Sequence, residues 1–172
     1  MDAEELYQHR IASRFAAFDQ DGNGYVSRED FTSAAGRLLE EFGTSFRSDK
    51  GQALAAGAEA FWQGLAGMAD VDGDQRVTRG EFVGAAVKRL RDDPGRFAEI
   101  ARPFVSAALA VAGGDGDGKA GTAEVERALR VLGVEAHTAA LAAESLDLDR
   151  GGVVDEEEAV TAFARYFMTQ EP

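Results

Sequence analysis

Four stretches of the sequence repeat one pattern, and this repetition limits the fold more than any other feature of the chain. In each, an apolar run at helical spacing leads into an acidic, glycine-containing loop, and a second apolar run leaves it. Before the first loop, Ile11, Phe15 and Phe18 lie at i, i+4 and i+7, on one face of a helix. We number the loops one to four: Asp19–Asp30, Asp70–Glu81, Gly113–Glu124 and Asp147–Glu158. The repetition predicts an all-α fold of four helix–loop–helix units.

The apolar residues that flank the loops are predicted to form the core, because their spacing places them on one face of each helix. Hydrophobic residues make up 45% of the chain, which is enough for a sizeable core. The predicted core residues are Ile11, Phe15, Phe18, Phe31, Leu38, Leu39, Phe42, Phe61, Trp62, Leu65, Met68, Phe82, Ala86, Leu90, Phe97, Ile100, Phe104, Val111, Val125, Leu129, Leu132, Leu141, Leu146, Phe163 and Phe167.

The segment RDDPGR, residues 91–96, separates the four units into two pairs. Pro94 and Gly95 stop a helix and turn the chain. We therefore predict an N-terminal half, residues 1–93, with loops one and two, and a C-terminal half, residues 94–172, with loops three and four. The helix that leads into loop two is predicted to begin near Ser48 or Asp49, either of which can cap it.

The loops have the composition of a site for a hard divalent cation. Calcium prefers six to eight oxygen ligands at about 2.3–2.6 Å. A twelve-residue loop supplies them from side chains at positions 1, 3 and 5, a backbone carbonyl at position 7, a water held at position 9 and a carboxylate at position 12. Position 6 turns sharply and favours glycine, because its φ is positive.

Loop one fills every ligand position. Its predicted ligands are the side chains of positions 1, 3, 5 and 12 and the carbonyl of position 7: Asp19, Asp21, Asn23, Asp30 and Tyr25. Gly24 stands at the turn, and Ser27 can hold the water. Because Asp30 is one methylene shorter than glutamate, we expect it to ligate through one oxygen. Six-fold coordination suits magnesium, so we expect Mg²⁺ to compete with Ca²⁺ here.

Loop two has the best ligand set, with four carboxylates. The predicted ligands are Asp70, Asp72, Asp74, the Arg76 carbonyl and Glu81, with Thr78 at position 9. Its weakness is Gln75 at position 6, where a left-handed backbone costs roughly 1–2 kcal/mol without glycine. We expect this loop to bind calcium at some loss of affinity.

Loop four lacks one side-chain ligand, because position 5 is Gly151. A water can fill that gap, and we expect the loop to bind. The predicted ligands are Asp147, Asp149, the Val153 carbonyl and Glu158, with Asp155 at position 9.

Loop three is the poorest of the four. With Gly118 at position 6 and Glu124 at position 12, position 1 is Gly113, which has no side chain. An alternative register begins at Asp115 and ends at Glu126, but it places a lysine at position 5. In the preferred register the ion loses its first carboxylate. We therefore expect loop three to be a scaffold that keeps its partner loop folded.

The four loops and their helical flanks resemble the EF-hand superfamily over nearly the whole chain. The loop starts are separated by 51, 43 and 34 residues. This spacing, with an aspartate closing loop one, is similar to calerythrin and the invertebrate sarcoplasmic calcium-binding proteins. The resemblance implies two EF-hand pairs packed face to face in one globule. It also implies short antiparallel bridges at position 8, between Val26 and Val77 and between Ala120 and Val154.

The charge and composition restrict the function. A net charge of −13 makes nucleic acid and anionic membranes poor partners. The chain has no cysteine, and no catalytic constellation stands apart from the loops, so we do not expect an enzyme. Abundant alanine and arginine indicate a bacterial, GC-rich genome.

We expect a monomeric cytoplasmic calcium buffer or transporter with about three ions. The alternative is a calcium sensor that regulates a protein partner, although Met1, Met68 and Met168 alone supply few adaptable contacts.

Overall fold

The computed structural model describes residues 2–85, 94–113, 119–134, 136–147 and 150–161. These residues form helices joined by loops, with four two-residue strands, so the predicted all-α fold class is confirmed. Within the last described segment, residues 150–161, residues 156–161 are helical. The elements are α1 (Ala3–Phe18), β1 (Tyr25–Val26), α2 (Arg28–Glu41), α3 (Asp49–Ala69), β2 (Val77–Thr78), α4 (Arg79–Ala85), α5 (Pro94–Gly113), β3 (Ala120–Gly121), α6 (Thr122–Val131), α7 (Ala136–Leu146) and β4 (Val153–Val154).

Serine side chains cap two of the described helices, and the cap at Ser48 was predicted. Ser48 is the N-cap of α3, and its hydroxyl accepts a hydrogen bond from the Gly51 amide at 3.0 Å. Ser27 forms a capping box with Asp30 at the start of α2. These caps satisfy amides that have no partner within the helix, and they fix where the loops end.

The strands pair the loops two by two, as the resemblance implied. β1 runs antiparallel to β2 and aligns Val26 with Val77, and β3 runs antiparallel to β4 and aligns Ala120 with Val154. All four side chains are buried. Each pair joins position 8 of one loop to position 8 of the next, so the register that starts loop three at Gly113 is the one the chain adopts.

One apolar cluster extends across both halves of the sequence. Phe15, Phe31 and Phe61 are buried together with Ala101 and Val111 of α5. The Phe31 and Phe61 rings lie 4.9 Å apart between centroids, and Phe61 meets Phe104 edge-on at 6.1 Å. A smaller cluster around Val125 and Val154 lies between the third and fourth loops. The apolar faces of the first half are therefore covered by α5 rather than by solvent.

The two halves approach each other closely where α3 crosses α5. A Cβ on Gly57 would lie 2.8 Å from the Pro103 carbonyl oxygen, and one on Gly64 would lie 2.6 Å from the Ile100 side chain. Real Cβ atoms do not approach backbone this closely, so the crossing requires glycine at position 57. The loss of helix propensity at Gly57 is the local cost of this contact.

One predicted core residue is wrong. Leu141 is 53% exposed, whereas α7 buries Ala139 and Ala143, which lie two residues to either side of it. Residues two apart on a helix do not share a face, so a helix that presents its alanines to α6 must turn Leu141 outward. Most of the other predicted core residues are buried or packed against the two clusters. The predicted core residues Ala86, Leu90, Phe163 and Phe167, the segment 86–93 and the Ile11 and Phe97 side chains lie outside the described residues.

Among the helices that the structure describes, none combines the length and the apolar character that a membrane crossing requires.

Candidate metal centres

Loop one brings its carboxylates together. Oxygens of Asp19, Asp21 and Asp30 all lie within 4.8 Å of one another. The Asp19 carboxylate accepts hydrogen bonds from the amides of Asn23 at 3.2 Å and Gly24 at 2.9 Å. α1 ends at Phe18, so Asp19 begins the loop where the helical hydrogen bonds stop. The amides fold the loop around its own acidic side chains.

Asp30 closes loop one from a buried position. It is 2% exposed, and its two oxygens accept from the Ser27 amide at 2.8 Å and the Asp21 amide at 3.3 Å. Burial raises the pKa of Asp30, the two amide donors oppose the rise, and the nearby charges of Asp21 and Asp19 add to it. A cation bound here would stabilise the charged form of Asp30, which burial and the charges of Asp21 and Asp19 disfavour.

The other two predicted ligands of loop one are Asn23 and Tyr25. The Asn23 side-chain oxygen accepts from the Tyr25 amide at 3.2 Å. Tyr25 lies in β1, and its ring stacks under the Arg76 guanidinium, with Cζ 4.7 Å from the ring centroid. Since Tyr25 and Arg76 both stand at position 7, this stack links the two carbonyl-donating positions of loops one and two.

Loop two assembles four carboxylates, those of Asp70, Asp72, Asp74 and Glu81, with oxygens within 4.8 Å of one another. Asp70 accepts from the Gln75 amide at 2.9 Å, and Asp74 accepts from the Arg76 amide at 2.9 Å. Glu81 accepts from the amides of Val71 at 2.9 Å and Thr78 at 3.0 Å. All the predicted side-chain ligands of loop two therefore converge on one small volume.

One oxygen in loop two has no hydrogen-bond partner. Among the described residues, Oδ1 of Asp70 is the buried side-chain atom that lacks one. Burial raises the pKa of Asp70, the Gln75 amide opposes the rise, and the carboxylates of Asp72, Asp74 and Glu81 add to it. A buried unpaired oxygen is costly, and four clustered carboxylates repel one another. A hard cation relieves both costs, so the residues fit such an ion.

The backbone adopts left-handed conformations at two loop positions. At position 6, φ is 92° for Gly24, 67° for Gln75 and 79° for Gly152, so the expected strain at Gln75 is present. Position 4 is also left-handed, at Gly22, Gly73 and Arg150. The left-handed backbone at Arg150, whose φ is 57°, was not predicted from the sequence. Aligning the loops could have identified it, because loops one and two place glycine at position 4.

Loop four keeps its first and last carboxylates. Asp147 accepts from the amides of Gly151 at 3.0 Å and Gly152 at 2.7 Å. Glu158 accepts from the Asp155 amide at 3.1 Å. Asp147 and Glu158 are each 9% exposed, and the predicted carbonyl donor Val153 lies in β4. The predicted ligand Asp149 lies outside the described residues.

Loop three is closed at the position where the others begin. α5 continues through Gly113, whereas α1, α3 and α7 end one residue before position 1. A Cβ on Gly113 would overlap the carbonyl oxygen of Lys119, which stands at position 7. The oxygen that would face an ion therefore occupies the place of the missing side chain. The candidate residues Asp115 and Asp117, and Gly118 at the turn, lie outside the described residues.

Comparisons with known proteins agree with this geometry. Residues 8–87 match a family described as an EF-hand domain pair. Calerythrin from Saccharopolyspora erythraea is 28% identical over 155 residues, which are 89% of this chain and 87% of calerythrin. The amphioxus sarcoplasmic calcium-binding protein is only 16% identical, but it has the same fold, with a TM-score of 0.71 over 98% of this chain and 92% of its own.

A solved bacterial structure is considerably more similar. It is the structure of a Streptomyces coelicolor calcium-binding protein, and it is described as the structural basis for prokaryotic calcium-mediated regulation by that protein. It is 61% identical, covers 94% of this chain and 97% of its own, and superposes with a TM-score of 0.87. The repeated loops, the paired strands and these similarities together show that the chain belongs to the EF-hand family of calcium-binding proteins, in its calerythrin-like group.

Proposed function

We propose that the protein is a calcium buffer with three competent sites, at loops one, two and four. The observation that carries the proposal is the convergence of Asp70, Asp72, Asp74 and Glu81 within 4.8 Å, with Oδ1 of Asp70 buried and unpaired among the described residues. The proposal also includes the predicted ligands of the other two loops, which are Asp19, Asp21, Asn23, Tyr25 and Asp30 in loop one and Asp147, Asp149, Val153 and Glu158 in loop four. Loop three is left out because Gly113 supplies no side-chain ligand, and because the Lys119 carbonyl oxygen occupies the place where a side chain at Gly113 would lie.

The proposal retains the two pairs, residues 1–93 and 94–172. The separate pairings of β1 with β2 and of β3 with β4 support that division. It also includes competition by magnesium at loop one, since Asp30 has a short side chain that two backbone amides already hold.

We further propose that the protein is monomeric and cytoplasmic. Sedimentation analysis with and without calcium tests the first of these two, and cell fractionation tests the second.

A buffering role is supported by the occupied apolar faces. In sensor proteins, calcium opens a hydrophobic groove that is rich in methionine. Here α5 covers the faces of the first half through Ala101, Ala107 and Val111, and Met68 is buried in the same cluster. A groove would have to be created by pulling this shared core apart.

The second candidate is a calcium-dependent regulator. The observation that favours it is the 61% identity to the Streptomyces coelicolor protein, which is described in terms of calcium-mediated regulation. A hydrophobic dye separates the two roles, because a buffer keeps its core covered. We expect dye fluorescence to change little when calcium is added, and a large calcium-dependent increase would favour the regulator.

Calorimetric titration tests the site count. We expect three calcium ions per chain, and we expect magnesium to weaken the binding at one of them. Four ions would mean that loop three binds, and two would mean that one of the three proposed loops does not. The absence of bound calcium after equilibrium dialysis would contradict the proposed function itself.

A further inference from the structure

We propose that α6, the helix that leaves the inert loop three, couples calcium binding at loop one to calcium binding at loop four. This inference rests on the proposed function, since it requires both loops to bind. It assigns a role to a unit that has lost its own site.

The C-terminal end of α6 is attached to loop one. Gln20 lies between the ligand positions Asp19 and Asp21, and its side-chain amide donates to the Leu132 carbonyl at 3.1 Å. Leu132 is the C-cap of α6, where backbone carbonyls have no partner within the helix. The Gln20 side-chain oxygen accepts from Arg37 of α2 at 2.8 Å. Loop one and α2 therefore hold the end of α6 together.

The N-terminal end of α6 is attached to loop four. The Thr122 amide, the first in α6, donates to the Gly152 carbonyl at 3.2 Å. Gly152 stands at position 6 of loop four, and its own amide donates to Asp147 at 2.7 Å. One residue, Gly152, therefore connects the first amide of the helix to the first ligand of loop four. A helix of 10 residues, about 15 Å long, connects the two loops.

A second contact fixes how α6 lies against the first half. Arg127 of α6 forms an ion pair with Glu41 at 2.6 Å and also donates to the Glu41 backbone carbonyl at 2.7 Å. Its guanidinium lies over the Phe42 ring, 4.8 Å from the centroid. Glu41 is the last residue of α2, so each of these two helices receives a side chain from the other half at its C-terminal end. This reciprocal capping makes independent movement of α2 and α6 costly.

The coupling follows from what an ion does to loop one. Calcium at Asp19 and Asp21 restricts the backbone between them, and so orders Gln20. An ordered Gln20 holds Leu132, and α6 then holds Gly152 in the position that loop four needs. The second ion meets a loop that is already ordered, which gives positive cooperativity without a large movement.

Two amides make the test specific for each site. The Gly24 amide bonds to Asp19 and the Gly152 amide bonds to Asp147, so their NMR signals report loop one and loop four separately. We expect Glu158→Gln, which disables loop four, to raise the calcium midpoint of the Gly24 signal by about fivefold, at the lower end of usual coupling between sites. By reciprocity, Asp30→Asn, which removes the closing carboxylate of loop one, should raise the Gly152 midpoint by the same factor.

Breaking the attachment should abolish these effects. In Gln20→Ala or Arg127→Gln backgrounds, Glu158→Gln should shift the Gly24 midpoint by less than about twofold. Gln63→Ala and Arg130→Gln are matched controls: Gln63 bonds within α3 to Glu59, Arg130 is an exposed arginine of α6, and both variants should keep the coupling.

The outcomes separate this inference from the proposed function. If both signals respond to calcium but Glu158→Gln leaves the Gly24 midpoint unchanged, the coupling is wrong and the binding stands. If the coupling survives both Gln20→Ala and Arg127→Gln, α6 is not its path. If neither signal responds to calcium, the proposed function fails first.

Discussion

Loops two and three differ at the first position of the repeat. In loop two, α3 ends at Ala69, and Asp70 turns its carboxylate to the Gln75 amide and to a buried space. In loop three, α5 runs through Gly113, and the Lys119 carbonyl lies where an aspartate would begin. The comparison shows that loop three differs from loop two by more than a missing carboxylate, because a backbone carbonyl lies in the place of its first side chain.

The largest expected effect comes from removing the closing carboxylate. Glu81→Gln should weaken loop two by about a hundredfold and reduce the calorimetric count by one ion, since calcium sites depend on the number of charged ligands. Glu124→Gln, the equivalent change in loop three, should leave the count unchanged. If Glu124→Gln also removed an ion, loop three would not be closed.

An intermediate effect is expected when the missing side chain is put back. Gly113→Asp should create no fourth site and should destabilise the calcium-free protein by about 1–3 kcal/mol, because its Cβ overlaps the Lys119 carbonyl. Gly36→Asp is the control, since a Cβ there meets open space on α2. Urea unfolding in chelator measures both. A fourth binding event in Gly113→Asp would show that the Lys119 carbonyl can move away and that a site can form.

The smallest effect concerns the turn of loop two. Gln75 has a φ of 67°, so Gln75→Gly should remove about 1–2 kcal/mol of backbone strain and lose part of it to the greater freedom of unfolded glycine. We expect a net gain of roughly 0.5–1 kcal/mol in the free energy of unfolding.

Gln63→Gly sets the scale for this substitution, because the same change within helix α3 should cost about 1 kcal/mol. Equal losses of unfolding free energy in the two variants would mean that Gln75 is not strained.

The features that could be predicted from the sequence are those that repeat within it. The clustering of the carboxylates in loops one and two, the turn at Gln75 and the pairing of Val26 with Val77 all follow from a twelve-residue pattern and from the family that shows it. Local chemistry defines them, so local sequence is sufficient.

The rest depends on contacts between distant parts of the chain. Gln20 meets Leu132 and Arg127 meets Glu41 across more than 80 residues, and no periodicity indicates such pairs. Leu141 was misplaced for a related reason, because α7 packs with its alanines, and helical spacing alone does not say which face a neighbour covers. The closure of loop three depended on where the Lys119 carbonyl lies, which a missing side chain does not reveal.

The single tryptophan has a practical consequence. Trp62 is 1% exposed and lies against Phe31, with ring centroids 6.3 Å apart, inside the cluster shared by the two halves. Its ultraviolet emission therefore comes from one dry place in the molecule. Any ion, substitution or partner that lets water reach that place will shift the emission to longer wavelength. The intrinsic fluorescence of Trp62 therefore reports, without any label, whether the two halves stay packed together.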